Sequence, residues 1–142
     1  VTKPGTVNED IVSNIDLPET FLEIAGVEVP SDMQGRSMLP ILNGKTPGNW
    51  RKEHYYHYYE YPGSHMVKRH YGMSTQRYKL IHYYYDIDEW ELYDRQADPL
   101  EMKNMYDDPS YARIKKKLHK RLEKLMLKYG DSEELARSFL PN

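Results

Sequence analysis

The chain has 142 residues, a formal net charge of -2, 39% hydrophobic residues, 14 Tyr and no Cys. That length suits one ordinary domain with a single core. The near-neutral charge excludes a global field for nucleic acid or anionic membranes, and no apolar run approaches the ~20 residues of a membrane span. The lack of Cys removes disulfides, thiolate zinc sites and a Cys nucleophile together, and leaves the redox compartment undetermined. Nothing near the start reads as an export signal, so if the parent protein is exported its signal is expected upstream.

In chain order, the first dozen residues, with Pro4 and Gly5, read as an extended lead-in. Asp16, Pro18 and the apolar residues Phe21, Leu22, Ile24 and Ala25 before Gly26 predict a short helix over 18–25, with Asp16 as N-cap and an apolar stripe. From 27 to 50 the chain is punctuated by Pro and Gly, which predicts surface loop around one short helix near 38–42. Strands are expected at 54–60, 70–75, 78–85 and 89–93, forming an antiparallel meander. In the third, Tyr78, Leu80, His82 and Tyr84 share one face, while Lys79, Ile81, Tyr83 and Tyr85 share the other. Asp108 as N-cap and Pro109 at the first position open a helix over 109–129, whose apolar stripe runs from Tyr111 and Ile114 through Leu118, Leu122 and Leu125 and which ends at Gly130. It is expected to cover one face of the sheet. Residues 132–142 read as a weakly helical, fraying tail.

The fold class is therefore α+β: a four-stranded antiparallel sheet packed against a long C-terminal helix and preceded by a helical and loop arm. Residues 1–50 are assigned to the arm and 51–142 to the sheet-and-helix subdomain.

Between the first two strands, His65, Lys68, Arg69 and His70 fall within six residues, beside Pro62-Gly63. Clustered cations and imidazoles can bind an anionic or hydroxyl-rich ligand. The alternative is a solvated loop with one His bonded to backbone. Other clusters have plainer explanations. His54 and His57, three apart in a strand, lie on opposite faces, so no metal site is expected. The Lys-rich side of the last helix is a solvated face opposite its apolar stripe, and no nucleic-acid partner is expected. Asp94, Asp98 and Glu101 read as turn-forming carboxylates.

Three segments carry a family resemblance: "VSNIDLPETFLEIAG" with "GRSMLPIL" (12–26 and 35–42), "YYEYPGSHMVKRHYGMSTQRYKLIHYY" (58–84), and "ELYDRQADPLEMKNMYDDP" (91–109). Together they resemble, in order, the C-terminal third of formylglycine-dependent sulfatases, and they look most like bacterial sulfatases acting on 6-sulfated N-acetylglucosamine or mucin. The resemblance implies that the arm belongs with an N-terminal catalytic domain of the same polypeptide. It also implies that the parent uses calcium and a formylglycine made from Cys or Ser in Cys/Ser-x-Pro-x-Arg, and that it is periplasmic or secreted. No Ser here has Pro two and Arg four positions later. The chain is therefore expected to hold no cofactor or catalytic residue of its own and to be inactive alone. The implied substrate is a sulfated glycan, with His65 and His70 contacting sugar or sulfate and Lys68 and Arg69 adding charge. A stand-alone Tyr-rich carbohydrate-binding module remains the rival reading.

Overall fold

The computed structural model describes residues 4–140, so residues 1–3 of the expected lead-in and 141–142 of the tail lie outside the described residues. Two compact units divide the chain, Val1–Lys52 and Glu53–Asn142.

In the first unit, helix α1 (Asp16–Ile24) is followed by the short α2 (Leu39–Leu42) within a long loop. Gly26, at φ +69°, closes α1 as expected, with the Val27 N–H donating to Leu22 O at 2.9 Å. A Cβ-free residue takes this left-handed position without steric cost.

The start of α1 corrects the expected N-cap. Its buried residues are Asp16, Glu19 and Thr20, while Phe21 and Ile24 are 64% and 61% exposed. Asp16 is not the N-cap, because its carboxylate faces the loop instead. There it accepts from the Ser13 and Arg36 backbone N–H groups at 2.7 and 2.9 Å and pairs with both Arg51 Nη atoms at 2.6 and 2.5 Å. The Met38 N–H donates to the Thr20 hydroxyl at 2.9 Å. Polar bonds to chain 18–35 residues distant thus draw the hydrophilic side of α1 inward.

The second unit contains β1 (Glu53–Tyr58), β2 (His70–Thr75), β3 (Tyr78–Tyr83) and β4 (Glu89–Asp94), an antiparallel meander in the order β1-β2-β3-β4. The register aligns Tyr55, Met73, Leu80 and Leu92 across one face, with His57, Tyr71, His82 and Trp90 in the next row. On this face Met73, Leu80 and Leu92 are wholly buried, in one cluster with Leu118, Leu122 and Leu125 of helix α3 (Ala112–Lys128). At about 25 cal/mol per Å² of apolar area, this is where most of the unit's stability arises. The other face carries Tyr56, Tyr58, His70, Ile81 and Tyr83.

Asp108 caps the start of the final helical segment, accepting from Ser110 N–H at 2.8 Å, but its first turn, Pro109–Tyr111, is a 3-10 turn. Gly130, at φ +66°, ends α3.

The fraying expected of the tail is also corrected. Ser132 caps a fourth helix, α4 (Glu133–Ser138), accepting from Leu135 N–H at 3.0 Å, and Ala136 is 1% exposed in the core cluster.

Candidate functional site

The segment between β1 and β2 is shaped by Arg69, whose guanidinium is almost fully buried and makes four hydrogen bonds. Its Nε donates to Tyr59 O at 3.1 Å, Nη2 donates to Tyr61 O, and Nη1 donates to both Asp86 carboxylate oxygens at 3.1 Å. The rings of Tyr61 and Tyr85 each lie 5.7 Å from its central carbon. Arg69 therefore bolts the segment to the β3–β4 turn, and the cation is committed inside the protein.

Lys68 extends the same cluster, with Nζ 3.8 Å from the Tyr61 ring centroid and donating to the Tyr61 hydroxyl at 2.5 Å. His65 is exposed, within a turn closed by Met66 N–H donating to Gly63 O at 3.0 Å. His70 stands on the sheet face away from α3, its Nδ1 2.8 Å from Lys68 O and its ring stacked on Tyr58 at 5.5 Å. The four expected residues thus divide. Lys68 and Arg69 share the Tyr61 ring, His70 is a strand residue packed among tyrosines, and His65 is open to solvent.

The face toward α3 holds polar groups that local sequence did not reveal. The Gly130 turn sends the Asp131 N–H onto Met126 O at 2.9 Å and swings the Asp131 carboxylate back to the sheet. There it accepts from the Tyr55 hydroxyl at 2.6 Å and meets His57 Nδ1 at 2.6 Å, while His57 Nε2 lies 2.7 Å from the Tyr84 hydroxyl. Burial pushes the His57 pKa below its ordinary value, against the opposing pull of Asp131. The ring is then neutral, with Nδ1–H donating to the carboxylate and Nε2 accepting from Tyr84. Burial alone would raise the Asp131 carboxyl, but the bonds from His57 and Tyr55 outweigh it and hold the group below the usual carboxylate range. The Tyr84 hydroxyl is pushed up to about 12 by burial. A parallel chain runs from Glu133 through the Tyr71 hydroxyl to His82 and Asp88, each link 2.8 Å. Both chains bind the α3–α4 junction to the sheet, which makes them structural latches.

A cleft of about 270 Å³ beside α3 is lined by Tyr71, Trp90, His119, Leu122, Glu123, Met126 and Glu133. None of the four expected residues reaches it.

Residues 1–128 match the family described as N-sulphoglucosamine sulphohydrolase, C-terminal. The chain belongs to this sulfatase family. It is 54% identical over 133 residues to an N-acetylglucosamine-6-O-sulfatase of Bacteroides thetaiotaomicron, covering 92% of this chain and 24% of that protein. It is 30% identical to a ulvan-active sulfatase of Formosa agariphila, covering 92% of this chain and 32% of the relative. Among solved structures, a protein in complex with its substrate D-glucosamine-2-N,6-O-disulfate superposes with a TM-score of 0.77 at 56% identity, covering 81% of this chain and 24% of that one. The chain thus spans about a quarter to a third of the length of these relatives.

The sulfatase family generally uses formylglycine and calcium, and the residues present here do not fit either group. There is no Cys and no Ser-x-Pro-x-Arg, and among the described residues no three His, Asp or Glu side chains converge as a metal set.

Proposed function

We propose that this chain is the C-terminal part of a glycan sulfatase that hydrolyses the 6-sulfate ester of a glucosamine or N-acetylglucosamine unit, and that its segment 61–71 forms one wall of the substrate cleft. The observation that carries this reading is the 54% identity to an N-acetylglucosamine-6-O-sulfatase across 92% of the chain. The formylglycine and calcium of the reaction belong, in this reading, to an N-terminal domain of the same polypeptide. The exposed apolar side of α1, with Phe21 and Ile24, supplies a surface for that domain to cover. The arm 1–50 thereby belongs with the catalytic domain, and the parent works in the periplasm or outside the cell.

Within the wall, His65 and His70 contact sugar hydroxyls or sulfate, and Lys68 contributes positive charge. Arg69 acts by holding the segment in shape. A free-standing carbohydrate module fits less well, because the Tyr-rich strand spends its hydroxyls inside the fold: those of Tyr56 and Tyr58 are buried, and that of Tyr55 is bonded to Asp131.

The test is sulfate release from N-acetylglucosamine 6-sulfate by the complete gene product, beside 4-sulfated N-acetylgalactosamine and 2-sulfated uronate controls. Turnover confined to the 6-sulfate is expected, with His65→Ala and His70→Ala raising KM by about tenfold each, the loss of about one hydrogen bond. Preference for either control ester would defeat the reading.

A further inference from the structure

The turn after β3 holds a bulky side chain in an unusual backbone state. Tyr85 has φ +68°, and the Asp86 N–H donates to Tyr84 O at 2.8 Å, closing a three-residue turn with Tyr85 at its apex. A γ-turn of this hand is rare and strained, and a bulky residue with positive φ is an outlier that persists only when its surroundings hold it. Here the holding group is visible: the very next residue, Asp86, is gripped by both Arg69 bonds. Glycine would occupy this position without strain, yet Tyr85 does, and the residue is 54% exposed. Its ring centroid also lies 5.7 Å from the Arg69 central carbon, as does that of Tyr61, whose ring carries Lys68.

We propose that Tyr85 is a specificity-determining residue: its exposed ring is the platform on which the pyranose ring of the sulfated amino sugar stacks. This inference rests on the proposed sulfatase reading and deepens it by naming the face that recognises the sugar. The chemistry is complementary. A pyranose presents a C–H face that lies flat on a phenol ring, and the neighbouring Lys68 ammonium suits an anionic substituent on the same sugar. Arg69 is the positioning residue for this platform, because its grip on Asp86 fixes the turn and its guanidinium underlies the ring. The strain at Tyr85 is the cost of aiming an aromatic ring where the backbone alone would favour glycine.

Tyr85→Gly separates this role from a structural one. Glycine relieves the positive φ, so the melting temperature of the complete gene product should hold or rise, while KM for N-acetylglucosamine 6-sulfate should increase about tenfold or more. Tyr85→Phe should leave KM within about twofold, because the ring is kept, and turnover of a sugar-free alkyl sulfate should be the same in all three proteins. An unchanged KM in Tyr85→Gly, or equal losses on sugar and alkyl sulfates, overturns the platform while leaving the sulfatase reading intact. No turnover of the sugar sulfate by the unmodified protein overturns that reading and the platform with it.

Discussion

Replacing Asp131 with Ala should unlatch the C-terminal end of the second unit. The carboxylate accepts two 2.6 Å bonds from side chains, Tyr55 and His57, and is only 8% exposed. A hydrogen bond to a charged acceptor contributes about 1.5–3 kcal/mol, so removing both costs roughly 3–6 kcal/mol before water re-enters; we expect about 3–4 kcal/mol. Asp131→Asn keeps acceptor geometry but not charge and should cost about half as much, since charge-assisted bonds are roughly twice as strong as neutral ones. The assay is urea unfolding at pH 7.5 followed by Trp fluorescence in a Trp50→Phe background, so that Trp90 reports on the sheet unit alone. Ser132→Ala, which removes only the α4 cap, serves as a reference at about 1 kcal/mol. An Asp131→Ala loss no larger than that of Ser132→Ala would show that the latch is incidental.

Acid should weaken the sheet unit in two stages. The His57 and His119 pKa values are depressed, by burial first, so their contribution is present above about pH 6.5 and is lost as pH falls through the depressed folded values. Asp94 is held low by its bonds from Arg77, and Asp131 is also depressed, so a second loss follows below about pH 4; a urea midpoint that stays flat from pH 8 to 3 would contradict both stages. Gly72→Ala would place a Cβ 2.5 Å from Leu80 O on the adjacent strand and 2.8 Å from the Tyr56 hydroxyl, so overpacking should cost about 1–3 kcal/mol by the same urea assay. Asp86→Ala leaves the buried Arg69 cation without its carboxylate, at about 3–5 kcal/mol, and should speed hydrogen exchange of the 61–71 amides while sparing β4. Phe21→Asp, on the exposed side of α1, should change this chain's stability by no more than about 0.5 kcal/mol, yet lower the melting temperature of the complete gene product if a second domain covers that face.

Where structure depends on near neighbours, the sequence was readable. The β2 span, the start of β3 and β4, the Asp108 cap and the Gly130 stop of the last helix all follow from period-two alternation, cap chemistry and a left-handed glycine. Helix α1 shows what periodicity leaves open: an apolar stripe identifies a face that wants cover, but not where the cover is. Its Asp16 and Thr20 are drawn inward by Arg51 and Met38, and such partners leave no local pattern. The helical character of the tail was legible but its anchoring was not, because one buried alanine and one Ser cap are too little signal beside the bonds that Asp131 and Glu133 make to the sheet. At the candidate site, His65, Lys68, Arg69 and His70 were singled out because they lie close together in sequence. Adjacency could not say that Arg69 turns inward to Asp86, 17 residues on, or that the strained Tyr85 stands beside it.

Arg69 explains how a loop without an apolar core keeps one shape. Burying a guanidinium costs several kcal/mol in solvation, and a pair with Asp86 alone roughly offsets it. Two further N–H groups go to the backbone carbonyls of Tyr59 and Tyr61, where the chain leaves β1. Each of those bonds constrains the backbone at a defined point, and the Asp86 pair constrains the β3–β4 turn to the same centre. The net gain in stability is modest, but the gain in definition is large: if any of the three tethers moves, a buried charge loses a partner. A hydrophobic residue at position 69 could match the stability and would leave the loop free to slide. A cation at this position therefore makes sense where the orientation of the neighbouring side chains, Lys68 and Tyr85 among them, is what the protein uses.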